Sequence, residues 1–446
     1  MGSIGTTLGS IRNKLRNNPD FIKSVITAYT GIAANIIAQV ILIPLYLDSL
    51  GKYHFGILML ILGIINYLSI GITWATSGGM RLMGEFSAND EHRELEHCYG
   101  LTRTLLVLYA LFVGCLVSFV AWLGKALIFD PSLVADSTII GMGIAGTLYL
   151  LVLYDLNNDR NLLMAIGKQA IANILSLVGT VAFFIFTLAA LYLDGGEAGV
   201  LFAYFLGTLV AKIISWRLVR NYRIQPQPPS RKSLRLLSRL GGRMGLGYAV
   251  YGIILLTFLQ GDALILGALG GPEIVADFIL VWKIADVGIQ MLWRLPETLL
   301  PYLIHMDTKN QSGRLDRIFK SGTNWMAGVA FLAGLGYALF GPAIVKLWVG
   351  AENTPSDPWA FWLSGGAIFW LVSARLPAIY CYALVRLRPL IKISAIELTA
   401  KLFLIPVLYP FIGFLAPIAA INLVHIGGIA FLYRRLYSSS SRNSNG

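Results

Sequence analysis

Long apolar runs, cut by short polar intervals, make up most of this chain. A bilayer-spanning helix needs roughly 20 apolar residues. Runs of that kind fall at about residues 24–47, 55–78, 101–123, 138–154, 169–193, 198–216, 245–269, 274–304, 322–345, 359–384, 389–410 and 412–433. The pattern predicts an all-α polytopic membrane protein of about 12 transmembrane helices. A barrel would alternate polar and apolar positions over segments of roughly 10 residues instead.

The longest internal polar interval lies between the sixth and seventh runs and reads NYRIQPQPPSRKSLRLLSRLGG. Its PQPP segment predicts a stiff extended spacer. SLRLLSRL predicts a short basic amphipathic helix on the membrane surface. The expected organisation is a basic interfacial segment 1–23, a six-helix lobe 24–216, a cytoplasmic linker 217–244, a second six-helix lobe 245–433 and a tail 434–446. Ile4, Leu8, Ile11 and Leu15 give the first segment helical spacing. The run after it is too long for the core of a cleavable signal.

The two lobes show a faint repeat. LDSLG (Leu47–Gly51) closes the first run and LGALG (Leu266–Gly270) the seventh. ELEHCYG (Glu94–Gly100) and RLDRIFK (Arg314–Lys320) precede the third and ninth. An even number of spans per repeat gives both lobes one orientation, hence a pseudo-two-fold along the membrane normal with a site between the halves.

Composition agrees: 56% of residues are hydrophobic and 13% charged, against about 25% charged in soluble domains. The net charge of +12 would suggest nucleic acid in a soluble protein. Here its distribution explains it. With the N-terminus in the cytoplasm, 28 of the 35 basic residues fall in cytoplasmic segments, and Lys52, Lys125 and Lys346 fall outside. That alternation is the positive-inside rule, with both termini cytoplasmic, and it leaves no nucleic-acid partner to invoke. Cys98, Cys115 and Cys381 form neither a disulfide framework nor a metal spacing. External loops too short for a catalytic domain argue against an enzyme.

The candidate chemistry lies inside the membrane. WKIADVGIQMLWRLPET (Trp282–Thr298) carries Lys283, Asp286, Gln290, Arg294 and Glu297 in an apolar run. At 100° per residue these five fall within an arc of about 80° and rise ~21 Å, most of a hydrocarbon core. Each lipid-facing charge costs about 3 kcal/mol or more, so the stripe must face protein or water. Asp262, Arg375, Glu397 and Lys401 are further intramembrane charges, and Arg81 lies at the inner end of the second span. Asn35, Gln39 and Asn66 add polar spots to the first two spans. One reading is local neutralisation: Lys283–Asp286 and Arg294–Glu297 at i,i+3, and Glu397–Lys401 at i,i+4. The other is a hydrated cationic cavity for a large anion. Arginine grips phosphate with paired donors, and acids among the bases could bind H⁺ or Na⁺.

Two blocks carry a family resemblance. GDALILGALGGPEIVADFILVWKIADVGIQMLWRLPETLLPYLIHM (Gly261–Met306) resembles the seventh-to-eighth span block of Wzx-type polysaccharide flippases, a branch of the MOP (multidrug/oligosaccharidyl-lipid/polysaccharide) exporter superfamily. IPLYLDSLGKYHFGILMLILGIINYLSIG (Ile43–Gly71), with its L-G-x-x-x-F-G element at Leu50–Gly56, is similar to their first two spans. The resemblance implies a V-shaped two-lobe fold with spans 1, 2, 7 and 8 lining a central cavity. It implies flipping of a polyprenyl-diphosphate-linked oligosaccharide (an O-antigen, capsule or exopolysaccharide repeat unit) across a bacterial or archaeal cytoplasmic membrane. Membrane lipids and other polysaccharide-assembly proteins would be partners, and no cofactor would be needed beyond a coupling H⁺ or Na⁺. Arg294, Lys283, Gln290, Arg375 and Arg81 would meet diphosphate or acidic sugar. Asp262, Asp286, Glu297, Glu397 and Lys401 would gate or couple, and Asn35, Gln39 and Asn66 would line the polar lumen. The competing branch, drug/cation antiporters, typically carries an acid in the first span, and Ser24–Leu47 has none. A major facilitator would show its basic loop after the second span, where SGGMRLMGEFSAND stands. A membrane polysaccharide polymerase or glycosyltransferase would want a large external loop.

Overall fold

A computed structural model describes residues 19–69, 73–127, 129, 134–229, 236, 243–297, 299, 303, 306, 312–355, 357–384 and 387–433. The interfacial helix expected over 1–23, the SLRLLSRL helix and the tail fall largely outside these residues. Among the described residues the chain is helical, without a strand. The helices are α1 (Pro19–Leu68), α2 (Thr73–Ala88), α3 (His92–Leu127), α4 (Asp136–Ala165), α5 (Gln169–Tyr192), α6 (Gly196–Asn221), α7 (Arg243–Glu297), α8 (Ser312–Val349), α9 (Trp359–Ala383), α10 (Leu387–Ile412) and α11 (Ala416–Val424). A 3₁₀ turn (Gly413–Leu415) precedes α11 and a π turn (His425–Ile429) follows it.

Nine segments of the described residues are long and apolar enough to cross a membrane. Three of them, Ile26–Leu68, Val250–Glu297 and Leu387–Tyr433, run 43, 48 and 47 residues. At 1.5 Å per residue each is about twice a ~30 Å hydrocarbon core. Read as two crossings each, they accommodate the twelve expected runs; by length and composition alone the count is nine.

Each long segment breaks at a glycine in the left-handed φ range. Gly51 has φ 76° and ψ 166°, Gly271 has φ 80° and ψ −175°, and Gly413 has φ 53°. Only glycine adopts the first two conformations without strain. Gly51 and Gly271 share one geometry in corresponding places of the two halves. The equivalent of Gly51 is therefore Gly271, one residue beyond the LGALG that the sequence aligns. The other glycine of the L-G-x-x-x-F-G element, Gly56, lies so close to Pro272 that an added Cβ would collide with its carbonyl.

The chain forms two compact units. The first comprises 1–50 and 71–246, and the second 51–70 and 247–446. The first half of α1 thus belongs to one unit and its second half to the other, with the boundary at the Gly51 break.

In the first unit α3 packs on α4, and α4 and α5 on α6. Leu95, Tyr99, Leu162, Leu163, Ala172 and Leu175 are buried together there. The linker starts by folding back on α3: the Gln225 and Gln227 amides donate to the Glu96 side chain at 3.0 Å and to its carbonyl at 3.3 Å. In the second unit α8 lies along α9. The Tyr337 hydroxyl donates to the Val281 carbonyl of α7 at 2.5 Å, and Lys52 pairs with Asp277 at 2.8 Å.

Candidate functional site

From Pro272 to Glu297 α7 carries the polar stripe on one face, as its spacing predicts. Gln290 Nε2 donates to Asp286 Oδ2 at 2.8 Å, and Arg294 Nη1 to Glu297 Oε2 at 2.9 Å. Gln290 and Arg294 are exposed, while Lys283, Asp286 and Glu297 are half-buried. Two partnered side chains four and three residues apart are what a 3.6-residue period allows. The expected Lys283–Asp286 pair is not formed: among the described residues Asp286 is bonded to Gln290, and Lys283 makes no ion pair within 4.0 Å.

The C-terminal end of the stripe meets α9. Glu297 Oε1 accepts from Arg375 Nη2 at 2.5 Å, so one carboxylate lies between two guanidiniums and the cluster keeps a net positive charge. The Arg375 guanidinium sits 4.3 Å from the centroid of the Trp293 ring. Trp293 is itself fixed by its Nε1 donating to the Leu371 carbonyl at 3.1 Å. Cation–π placement of this kind holds an arginine in position without neutralising it. Arg375 Nε is buried without a hydrogen-bond partner among the described residues. No acid lies within a helical turn of Arg375 in sequence; the tertiary fold supplies one from α7.

The expected Glu397–Lys401 pair is also replaced. Lys401 Nζ turns to α7, reaching Asp262 Oδ1 at 2.7 Å and Oδ2 at 2.9 Å and the Phe258 carbonyl at 2.6 Å. It also sits 4.1 Å from the Phe258 ring centroid. Lys401 and Asp262 are 1% and 3% exposed. An ammonium with its hydrogens taken up and its charge matched is stable in so dry a place. A lone i,i+4 carboxylate on the same helix would leave it short of acceptors, which is why the neighbouring helix wins. Glu397 then takes other partners, Tyr433 and His425.

Between these groups lies a cavity of about 40 Å³, room for roughly three waters. Arg375, Glu397, Ser394, Tyr251 and Tyr433 are its polar lining, against an apolar wall that includes Leu255, Phe258 and Leu371.

The remaining sequence candidates are Asn35, Gln39, Arg81 and Asn66. Asn35 and Gln39 bond each other at 2.5 Å in the first unit. Arg81 is exposed on α2, and Asn66 is exposed near the end of α1.

A second ionic site was missed because its members sit near the ends of the predicted spans. Arg103 grips Asp155 with two bonds, Nε to Oδ1 at 2.7 Å and Nη2 to Oδ2 at 2.9 Å. Lys212 bridges Asp155 at 2.8 Å and Asp159 at 2.7 Å. Asp159 also accepts from Tyr99 and Ser215, each at 2.5 Å, and Asn158 bonds Thr102 at 2.8 Å. Two acids and two bases close on one another here. Arg103 and Lys212 are among the 28 basic residues that the positive-inside count places in cytoplasmic segments. The available signal was the i,i+4 spacing of Asp155 and Asp159, which places both on one face once α4 is seen to continue to Ala165.

No protein-family model matches the chain, and no curated protein sequence matches it. Solved structures do. An inward-facing multidrug resistance MATE family transporter of the MOP superfamily superposes with TM-score 0.68 at 13% identity, covering 95% of this chain and 99% of that one. An outward-facing MATE family transporter of the same superfamily gives TM-score 0.63 at 12% identity, over 95% and 97%. A MOP superfamily transporter from Pyrococcus furiosus, described as having a binding pocket of reverse polarity that suggests a different function, gives 0.57 at 13%, over 95% and 97%. Identities this low establish architecture alone: the chain is a multi-pass membrane protein with the fold of the MATE transporters of the MOP superfamily.

Proposed function

We propose that this protein is a flippase that carries a polyprenyl-diphosphate-linked oligosaccharide across the cytoplasmic membrane. The observation that carries the proposal is the excess positive charge of the Arg294–Glu297–Arg375 cluster. Two guanidiniums share one carboxylate, and the Arg294 side chain is 47% exposed. A diphosphate offers paired oxygens to such forks. Lys283 and Gln290 continue the same face toward the opposite end of the helix. A cationic drug would be repelled by the cluster, and the first span holds no acid to receive it.

A second reading, antiport of cationic drugs, has one observation in its favour: solved proteins of this fold include multidrug resistance transporters. The Pyrococcus furiosus relative in fold, with its reverse-polarity pocket, argues that the architecture does not fix the sign of the cargo.

The deciding experiment is a flip assay in proteoliposomes with a lipid-linked oligosaccharide. Wild type should move the lipid, and Arg294→Ala and Lys283→Ala should abolish movement while remaining folded. Normal flipping by both variants would overturn the site. Proton exchange driven by cationic drugs, with no lipid movement, would overturn the cargo.

A further inference from the structure

The second unit holds a buried Glu–His contact that the cationic cluster does not use. Glu397 on α10 is 6% exposed, and His425, which opens the π turn after α11, is 1% exposed. Glu397 Oε2 accepts from the Tyr433 hydroxyl at 2.9 Å. Its Oε1 lies 3.2 Å from His425 Nε2.

The other ring nitrogen decides what this contact means. His425 Nδ1 is 2.9 Å from the Ile421 carbonyl oxygen. A carbonyl only accepts, so Nδ1 carries a hydrogen. In a neutral ring Nε2 is then a bare acceptor 3.2 Å from a carboxylate oxygen and without a hydrogen-bond partner among the described residues. Two acceptors at that distance repel in a dry site. One proton, on the carboxyl or on Nε2, makes the contact attractive and removes an unpaired buried charge.

The neighbouring cations have other partners. Lys401, one turn along α10, is committed to Asp262 and the Phe258 carbonyl. Arg375 on α9 is committed to Glu297. The other titratable groups packed around the pair are Tyr251 of α7, Cys381 and Tyr382 of α9 and Tyr433, none of which carries a positive charge. Trp370 stacks on the imidazole at 5.9 Å. The π turn, with Gly428 at φ 125°, is a helix defect that concentrates at functional positions. Glu397 and Arg375 both line the small cavity, which leaves room for a water beside the acid and puts a cation on the same wall.

We propose that Glu397 and His425 together bind one exchangeable proton, taken from and returned to the cavity water, and that its loss draws Arg375 from Glu297 toward Glu397. The loss leaves a net negative charge on the pair, and Arg375 is the cation that shares its cavity. Glu297 is then left to Arg294 alone. Glu397 and His425 act as positioning residues for Arg375. The proton site stands whatever the cargo is; its effect on transport rests on the cationic cluster proposed above.

Infrared difference spectra of the reconstituted full-length protein, taken between acid and alkaline buffer, test the site without any cargo. Wild type should show a carboxyl stretch and an imidazole band changing with one midpoint. E397Q should lose the carboxyl change. H425N and Y433F should retain it at a shifted midpoint, and R375Q should shift it too. A wild-type spectrum identical to that of E397Q, or an unmoved midpoint in H425N, overturns the proton site. An unmoved midpoint in R375Q overturns the link to Arg375. If E397Q does not fold, tryptophan fluorescence of wild type against H425N decides the same question. Quenching of Trp370 at acid pH should vanish in H425N, and identical profiles overturn the site. Failure of the flip assay leaves these spectra unaffected, so the two proposals fail separately.

Discussion

The two units each pair arginine and lysine with carboxylate side chains, and they do so in opposite ways. In the first unit Arg103, Lys212, Asp155 and Asp159 close on one another, with Tyr99 and Ser215 supplying the last hydrogen bonds. Charge cancels, and Asp159 is left 1% exposed in its side chain. In the second unit Glu297 serves both Arg294 and Arg375, Arg375 Nε has no hydrogen-bond partner among the described residues, and Arg294 stays open. A closed network can only hold helices together. An open one has charge and donors to spend on something that arrives. The Lys401–Asp262 pair shows that the second unit also builds closed pairs, so the openness of the arginine cluster is local.

That contrast orders four outcomes by their cost to stability. Asp159→Ala leaves Lys212 half-paired and strands the Tyr99 hydroxyl; it should cost about 3–5 kcal/mol, read as a lowered unfolding temperature in detergent. Transport per folded molecule should be unchanged, and a loss there would break the distinction. Lys401→Met should cost about as much by leaving Asp262 buried alone, and Lys401→Met with Asp262→Leu should recover most of it; failure of the double variant to recover would mean that the pair does more than hold α7 to α10. Arg375→Gln should cost about 1–3 kcal/mol through the lost charge-assisted bond, with transport falling at least tenfold. Arg294→Ala should cost under about 1 kcal/mol, as an exposed ion pair does, yet abolish transport. The sharpest outcome is therefore this inversion: the least destabilising substitution is the most disabling. Normal transport in Arg294→Ala would place the working site elsewhere.

Much of the fold was legible because hydropathy in a bilayer is a one-dimensional quantity. A run of apolar residues either spans or does not, and its neighbours in space hardly matter. The faces of single helices were legible for the same reason. The stripe from Lys283 to Glu297 follows from a period of 3.6 residues, and the Asp286–Gln290 and Arg294–Glu297 bonds realise it. The positive-inside count goes by position alone and says nothing of pairing. Arg103 and Lys212 sit close to span ends and pair with Asp155 and Asp159.

The sequence by itself determined the class of protein, its helices and the charged face of α7, because composition and periodicity are local properties of the chain. Only the tertiary structure decided who pairs with whom. Lys401 abandoned Glu397 for Asp262, Arg375 found Glu297 some 78 residues away, and Glu397 found His425. A buried charge takes whichever partner best replaces its lost water, and that partner is chosen by the packing of helices distant in sequence.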